Sequence, residues 1–436
     1  MNETLKLKKA TYHLYTFFIS KMVSALGQTV YGFGMSLYIL SMTGSALSFA
    51  SNMLSSIIPR IILAPLSGAI SDRVPRKILV IGGQIGQILV LIGLLLYTLT
   101  FGLTVPAIYI TTASFTMFNT FSSIAFSASI PNLVDSDRLQ KAMSFNQLSS
   151  SIAGIAGPII GGMLFGFASM YVFLLINIVA LSITTVLEST MNFRLYVKEV
   201  VKIEKESIVE SMKHGLAYVK NHLLIKRLLI MMLWINLFFT AFGVGVGFVL
   251  LEKLKLRPDH IGWIEGAIAV GMLLSSLYFA SRGAVKNPIS FTKRGILCTS
   301  ILIGLVALPL LVPMHYWLMF AFFMVLSFTL GCSIVCTNMP LMVLFQSRVE
   351  EAFRGRVFGL IDMAAMSLMP LGTLVYGILY DLVPAEIILI CTSLILISVT
   401  FQTLTQKVVD AERGTSPETT TAKNDAVLTE ATTTTA

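Results

Sequence analysis

The chain has 436 residues, of which 55% are hydrophobic and 12% are charged, and its formal net charge is +9. Soluble domains carry about 25% charged residues, so this composition excludes a soluble domain and predicts an all-α membrane protein. Long apolar runs, rather than alternating segments of about ten residues, favour helices over a closed barrel. The excess of cations does not indicate nucleic-acid binding, because cations in the loops of a membrane protein orient its helices.

Apolar runs separated by polar breaks predict twelve transmembrane helices. Their expected ranges are 13–41, 46–70, 78–100, 104–130, 143–166, 169–189, 226–251, 259–282, 294–312, 315–346, 355–380 and 385–405. Lys and Arg concentrate in alternate connections, which predicts that those connections and both termini are cytoplasmic. On the opposite side only Lys253, Lys255 and Arg257 break this pattern. The end of the bundle with the Lys- and Arg-rich connections is called the predicted inner end, and the opposite end is called the predicted outer end.

The longest connection divides the predicted helices six and six. The expected domains are a six-helix bundle over 1–189, a cytoplasmic linker with an amphipathic helix over 190–225, a second six-helix bundle over 226–406 and a disordered cytoplasmic tail over 407–436. A solvated linker without that helix is the alternative. Glycines repeat weakly between the halves, since Gly157 and Gly162 of helix 5 correspond to Gly372 and Gly377 of helix 11. This repeat predicts two six-helix pseudo-repeats.

A densely charged turn separates the second and third predicted helices. Its candidate residues are Gly68, Asp72, Arg73, Arg76 and Lys77. The turn resembles the signature loop between helices 2 and 3 of Major Facilitator Superfamily (MFS) transporters, from which Pro75 departs. The resemblance implies the MFS fold and a cytoplasmic latch, in which Asp72 can accept hydrogen bonds from a helix N-terminus. We expect the cations to pair with loop acids such as Asp135 or Asp137 and to contact anionic lipid. A plain positive-inside loop is the alternative.

Helix 5 carries a cluster of small residues: Gly154, Gly157, Pro158, Gly161 and Gly162. Glycines at these spacings are expected to line one face and permit tight helix contact, while the proline removes a backbone hydrogen bond. The cluster resembles the helix 5 motif of MFS drug:proton antiporters, which implies export. Its first glycine is one position closer to the second than in that motif. Generic small-residue packing is the alternative.

Two further stretches, Thr43–Ala46 and Phe345–Gly372, resemble the MFS branch that contains macrolide-efflux and enterobactin-export proteins. The likeness extends over residues 12–405. Many drug:proton antiporters carry an arginine in helix 4, but Tyr109 to Pro131 contains no basic residue. Coupling through that arginine is therefore not transferred to this chain.

Ionisable side chains inside the spans are functional candidates, because placing a charge in hydrocarbon is costly. We expect Glu265 or Asp362 to exchange protons, since burial disfavours the charged form of a carboxylate, and Arg60 to be its partner. An interhelical structural pair or a snorkelling side chain is the alternative for each. Polar and aromatic residues on mid-membrane faces are candidates for substrate contact: Gln28, Tyr31, Asn119, Asn146, Asn236, Trp263 and Asn338.

These features predict a secondary active transporter that exports a bulky amphipathic molecule, drug-like or siderophore-like, by alternating access and proton antiport. The sequence contains no P-loop and no familiar hydrolase motif, so we expect neither an enzyme nor a cofactor, and the four cysteines lack further ligands for a metal. We expect a monomer in the bacterial plasma membrane, with substrate, protons and lipids as partners and no nucleic acid. The alternative is a non-transporting receptor or a lipid-handling protein of the same fold.

Overall fold

The computed structural model describes residues 3–71, 74–196, 216–220, 222–281, 287–349, 357 and 367–404. Within these ranges the chain forms twelve helices of 14 residues or more and no strand. They are α1 (Glu3–Thr43), α2 (Ala46–Ser71), α3 (Arg76–Phe101), α4 (Val105–Leu133), α5 (Ser136–Phe167), α6 (Met170–Ser189), α7 (Leu223–Phe248), α8 (Pro258–Ser281), α9 (Pro288–Leu305), α10 (Tyr316–Arg348), α11 (Met369–Leu382) and α12 (Ala385–Thr403). A π-helical segment, Val249–Lys253, extends α7.

Nine helical stretches in the described part of the chain are long and apolar enough to cross a membrane. They belong to α2, α3, α5, α6, α7, α8, α9, α10 and α12. Helix α4 is not among them, although it has 29 residues, because it is rich in Ser and Thr. Helix α11 is not among them because only 14 of its residues are described. Large apolar side chains are exposed along most of these helices, as a surface in contact with lipid requires. The chain is therefore a multi-pass membrane protein built from helices.

Most observed helices match the predicted spans, and the differences follow from the local sequence. Helix α1 begins at Glu3 rather than at 13, because helix-forming residues precede the apolar run and Lys6 Nζ lies 4.5 Å from the ring centroid of Tyr196. The predicted span 294–312 is divided after Leu305, since Pro309 cannot donate a backbone hydrogen bond, and a separate one-turn helix begins at Leu308. Most of the predicted amphipathic linker helix and the whole predicted tail lie outside the described residues.

The cations that break the charge pattern at the predicted outer end are largely neutralised by neighbouring acids. Lys255 Nζ lies 2.9 Å from Glu252 Oε2, and the Arg257 guanidinium makes two hydrogen bonds, of 3.1 and 3.0 Å, to the Asp259 carboxylate. The rule that relates loop charge to orientation counts Lys and Arg rather than net charge, so this connection remains an exception to the charge pattern.

Helices α1–α6 contact one another, as do α7–α12, and the main contacts between the halves are α5 with α8 and α2 with α11. At the α5–α8 crossing the backbones touch. A Cβ atom added to Gly162 would lie 2.5 Å from Pro258 O, and one added to Gly262 would lie 2.5 Å from Pro158 O. No side chain larger than hydrogen fits at either glycine without moving a helix.

Two of the other helix 5 glycines face a different neighbour. A Cβ atom on Gly157 would lie 2.5 Å from Thr29 Cγ2, and one on Gly161 would lie 3.2 Å from Val30 O, so both glycines face α1. The expectation of a single glycine face is therefore wrong. Consecutive helix residues point about 100° apart, so Gly161 and Gly162 serve two different helices.

The substitution Gly162→Val is expected to lower the free energy of unfolding by about 1–3 kcal/mol, because the added side chain separates α5 from α8. Unfolding in mixed detergent–SDS micelles measures this change. Gly154→Ala is the matched control, since its Cβ atom would meet the Ala269 Cβ atom at an ordinary 4.0 Å. Equal stability of Gly162→Val and the control would contradict the backbone contact.

Candidate functional site

A cavity of about 830 Å³ lies in the N-terminal half, toward the predicted inner end. Stretches of α1 to α6 line it, together with Ser367 from the C-terminal half. Small-molecule sites typically have volumes of roughly 300–1,000 Å³, so this cavity has the size of such a site. Four residues selected from the sequence line it: Gln28, Arg60, Asn119 and Asn146.

Two other substrate candidates lie apart from this cavity. Asn236 and Asn338 line a smaller cavity of about 160 Å³ between α7, α9 and α10. Asn236 Nδ2 donates to Met232 O of its own helix at 2.8 Å. The structure thus divides the predicted polar set between the two halves and does not bring it into one described cavity.

Tyr31 and Trp263 line neither cavity. Tyr31 is 2% exposed; its hydroxyl lies 3.3 Å from Thr112 Oγ1, and its ring stacks on Phe115 with centroids 4.5 Å apart. It therefore packs α1 against α4. Trp263 is 44% exposed and shares a helix face with the exposed Leu277. Neither side chain occupies the position that a substrate contact requires in this arrangement.

The cavity wall contains a carboxylate that the sequence analysis did not select. Glu188, one residue before the end of α6, is completely buried, and its Oε2 accepts a hydrogen bond of 2.7 Å from Gln84 Nε2. Lys21 of α1 also lines the cavity. The sequence placed Glu188 at the edge of a span, where an acid ordinarily faces water. Its spacing alone therefore gave no signal of burial.

Three buried oxygen atoms of the cavity residues lack a hydrogen-bond donor among the described residues: Glu188 Oε1, Gln84 Oε1 and Asn146 Oδ1. Buried polar atoms are normally satisfied, because each unmade hydrogen bond costs about 1–3 kcal/mol. Protonation can satisfy the Glu188 oxygen, and hydrogen bonds donated by water or by a bound molecule can satisfy all three acceptors. The cavity is thus chemically suited to a ligand that carries N–H or O–H groups.

The other predicted coupling residues are separated by the structure. Glu265 of α8 is partly buried and lies between Gly262 and Gly266, whose backbones face α5. Arg60 lines the N-terminal cavity, and Glu265 does not. The predicted pairing of Arg60 with Glu265 is therefore not observed. Asp362 lies outside the described residues.

The described part of the charged turn contacts backbone carbonyl groups. Arg76 Nη1 donates to Ala128 O at 2.5 Å, and Lys77 Nζ donates to Ser189 O at 2.5 Å. Ser189 is the last residue of α6, where a cation satisfies free carbonyls and the negative end of the helix dipole, whereas Ala128 lies before the last turn of α4. The predicted pairing with Asp135 is wrong for these two cations, since the salt bridge of Asp135 is to Arg138 at 2.8 Å. Gly68 lies within α2, while Asp72 and Arg73 lie outside the described residues.

A polar cavity among membrane-crossing helices, in a chain of two helical halves, defines a multi-pass transporter fold. The Major Facilitator Superfamily matches residues 17–373, and the chain belongs to this family. It is 24% identical to an uncharacterised MFS-type transporter, YfiS, of Bacillus subtilis, in an alignment of 408 residues that covers 92% of this chain and 94% of that protein. It is 22% identical to macrolide efflux protein A of Streptococcus pyogenes, in an alignment of 369 residues that covers 84% of this chain and 89% of that protein.

Among solved structures, a bacterial homologue of the iron transporter ferroportin in its inward-facing state matches with a TM-score of 0.65 at 17% identity. The match covers 90% of this chain and 99% of that chain. The outward-facing structure of a bacterial ferroportin homologue gives a TM-score of 0.53 over the same shares. These likenesses establish the fold. The described residues contain no group of three or more His, Cys, Asp or Glu side chains that could hold a metal ion.

Gln84→Leu and Glu188→Leu are each expected to destabilise the protein by about 1–3 kcal/mol, because each substitution leaves the other side chain buried without its partner. The double variant is expected to cost less than the sum of the two, which a double-mutant cycle of unfolding free energies measures. Gln87→Leu is the control, since Gln87 bonds Gly83 O of its own helix and its effect should add to that of Glu188→Leu. Additive effects for Gln84 would contradict a coupled pair.

Proposed function

We propose that this protein exports a bulky amphipathic small molecule from the bacterial cytoplasm in exchange for protons, by alternating access. The observation that carries this proposal is the cavity of about 830 Å³ with its buried carboxylate and unmatched acceptors. Drug-like compounds such as macrolides are one candidate class, favoured by the similarity to macrolide efflux protein A; siderophore-like compounds are the other. The protein acts as a monomer in the plasma membrane, without cofactor or enzymatic activity, and both its termini are cytoplasmic.

Alternating access is supported by the way in which the halves meet. The α5–α8 crossing consists of backbone against backbone at Gly162 and Gly262, so one half can tilt against the other without separating interlocked side chains. The cavity lies on the predicted inner side of this crossing. The higher TM-score to the inward-facing form of a structure with the same fold agrees with an inward-facing arrangement.

Two described carboxylates are positioned for proton exchange. Glu188 lines the cavity with one neutral donor, Gln84, and with Lys21 nearby. Glu265 is partly buried and lies beside the crossing between the halves, between Gly262 and Gly266. A proton on either group removes a charge that is costly to bury, so protonation favours closure around the group. Asp362 remains a third candidate, and the charged turn with Asp72 is proposed as the cytoplasmic latch.

Inverted membrane vesicles that contain the protein are expected to accumulate a radiolabelled macrolide or catecholate siderophore when their lumen is acidified. Accumulation should fall to the level of vesicles without the protein when nigericin dissipates the proton gradient. A receptor or lipid-handling protein would give no gradient-dependent flux. If neither compound class is accumulated, the export of such compounds is rejected.

Glu188→Gln is expected to abolish gradient-driven accumulation but to preserve exchange of labelled for unlabelled substrate at equal concentrations. The amide retains the cavity shape but cannot release a proton, so only the proton-coupled step fails. Glu265→Gln and Asp362→Asn are measured alongside, with Glu386→Gln, an acid in the first turn of α12, as the control. Full gradient-driven accumulation by Glu188→Gln would exclude Glu188 as the proton-carrying group. Full accumulation by Glu188→Gln, Glu265→Gln and Asp362→Asn alike would exclude proton antiport through any of these three carboxylates.

A further inference from the structure

At the predicted outer end, one carboxylate makes hydrogen bonds between the two halves of the molecule. Asp381, at the end of α11, accepts hydrogen bonds from Ser45 Oγ at 2.5 Å, from the Ala46 backbone N–H at 2.6 Å and from the Leu47 backbone N–H at 3.2 Å. Ser45 directly precedes α2, so the carboxylate caps the N-terminus of a helix from the other half. These three hydrogen bonds join the two halves of the molecule directly.

From this geometry we propose that Asp381 is a positioning residue for transport, which holds the predicted outer end closed while the cavity faces inward. This inference rests on alternating access as proposed above. The first N–H groups of a helix have no partner within it and carry the positive end of the helix dipole, so they favour a carboxylate over a neutral acceptor. Movement of α11 away from α2 breaks all three hydrogen bonds together.

The surrounding residues bring the two chain segments to this distance. Gly44 has a positive φ of 61°, which turns the chain between α1 and α2 and points Ser45 toward α11. Ser45 Oγ also accepts from the Ser48 N–H at 3.1 Å, as an N-cap side chain does. One turn before Asp381, a Cβ atom on Gly377 would lie 2.6 Å from Ala50 Cβ. The glycine permits the close approach, and the carboxylate secures it.

The contact explains a stretch that the sequence analysis selected only by resemblance. Thr43–Ala46 supplies the glycine turn, the capping serine and the first helical N–H group. These residues lie in the N-terminal half, whereas their acceptor is an acid 335 residues further along the chain from Ala46. A residue that only stabilised its own helix would not need an acceptor in the other half.

The test compares Asp381→Asn, Asp381→Glu and the control Glu386→Gln in a chain whose four cysteines have been replaced. Glu386 lies in the first turn of α12 at the same end and makes no hydrogen bond with a described residue of the other half. Asn keeps one acceptor but directs an NH₂ group at the helix N–H groups, so it loses the contact. Glu keeps the charge and restores it in part.

Spin labels report both ends of the molecule in the absence of substrate. The outer pair is Phe101→Cys with Val312→Cys, at positions 75% and 49% exposed. The inner pair is Met143→Cys, at a position 54% exposed, with Asn287→Cys, at an exposed position. Pulsed electron–electron double resonance gives the distance distribution for each pair.

Asp381→Asn is expected to raise the ratio of long to short outer distances on the order of fivefold, the effect of losing one N-cap, and to shorten the inner distances correspondingly. Glu386→Gln should leave both distributions unchanged, and Asp381→Glu should recover part of the original ratio. Unchanged outer distances in Asp381→Asn, or an equal shift in Glu386→Gln, overturns the proposal. Broadening at both ends indicates loss of folding and also overturns it. Because the distances are read without substrate, a wrong substrate class does not affect this result.

Discussion

The contact on which the rest of the structure depends is the crossing of α5 and α8. Helices in a bilayer gain nothing from leaving lipid for one another, so close approach has to come from backbone contact at small residues. Gly162 and Gly262 provide it reciprocally, since a Cβ atom added to either glycine would strike a carbonyl oxygen of the other helix. The two halves are thus joined where they have little side-chain surface to interlock. Tilting about such a crossing changes few contacts, which leaves the choice between conformations to weaker contacts near the ends.

The two halves treat their buried polar groups differently. In the C-terminal half, hydroxyl groups are largely matched: Thr299 bonds Ser333 at 2.8 Å, and Ser393 donates to Ser300 O at 2.7 Å. Among the buried side-chain atoms without a partner in the described part of the chain, only Ser327 Oγ belongs to that half. The others belong to the N-terminal half, where the large cavity lies. In the described C-terminal half, buried polar groups therefore mostly have hydrogen-bond partners within the protein. In the N-terminal half, several buried polar atoms lack such partners and can bind a ligand or a proton.

Helix number and family could be read from the sequence because hydrophobic length and loop charge are local properties. The sites were harder to predict, because they depend on which helix face meets which neighbour. Tyr31 and Gln28 are three residues apart in one helix, yet one is packed against Phe115 and the other lines the cavity. Glu188 was missed for a related reason, since a residue near the end of a span is read as exposed until a partner such as Gln84 is found on another helix. The helix 5 glycines were recognised, but their division between α1 and α8 required the three-dimensional arrangement.

The α2–α11 pair shows how a contact at one end of the interface favours one state. Because the N-terminus of α2 meets the C-terminus of α11 at Asp381, the two helices run in opposite directions across the interface between the halves. A tilt that separates this end of the pair breaks the three hydrogen bonds to Asp381 together. An N-cap contact of this kind contributes about 1 kcal/mol. An energy difference of that size is small enough for a proton or a bound substrate to reverse.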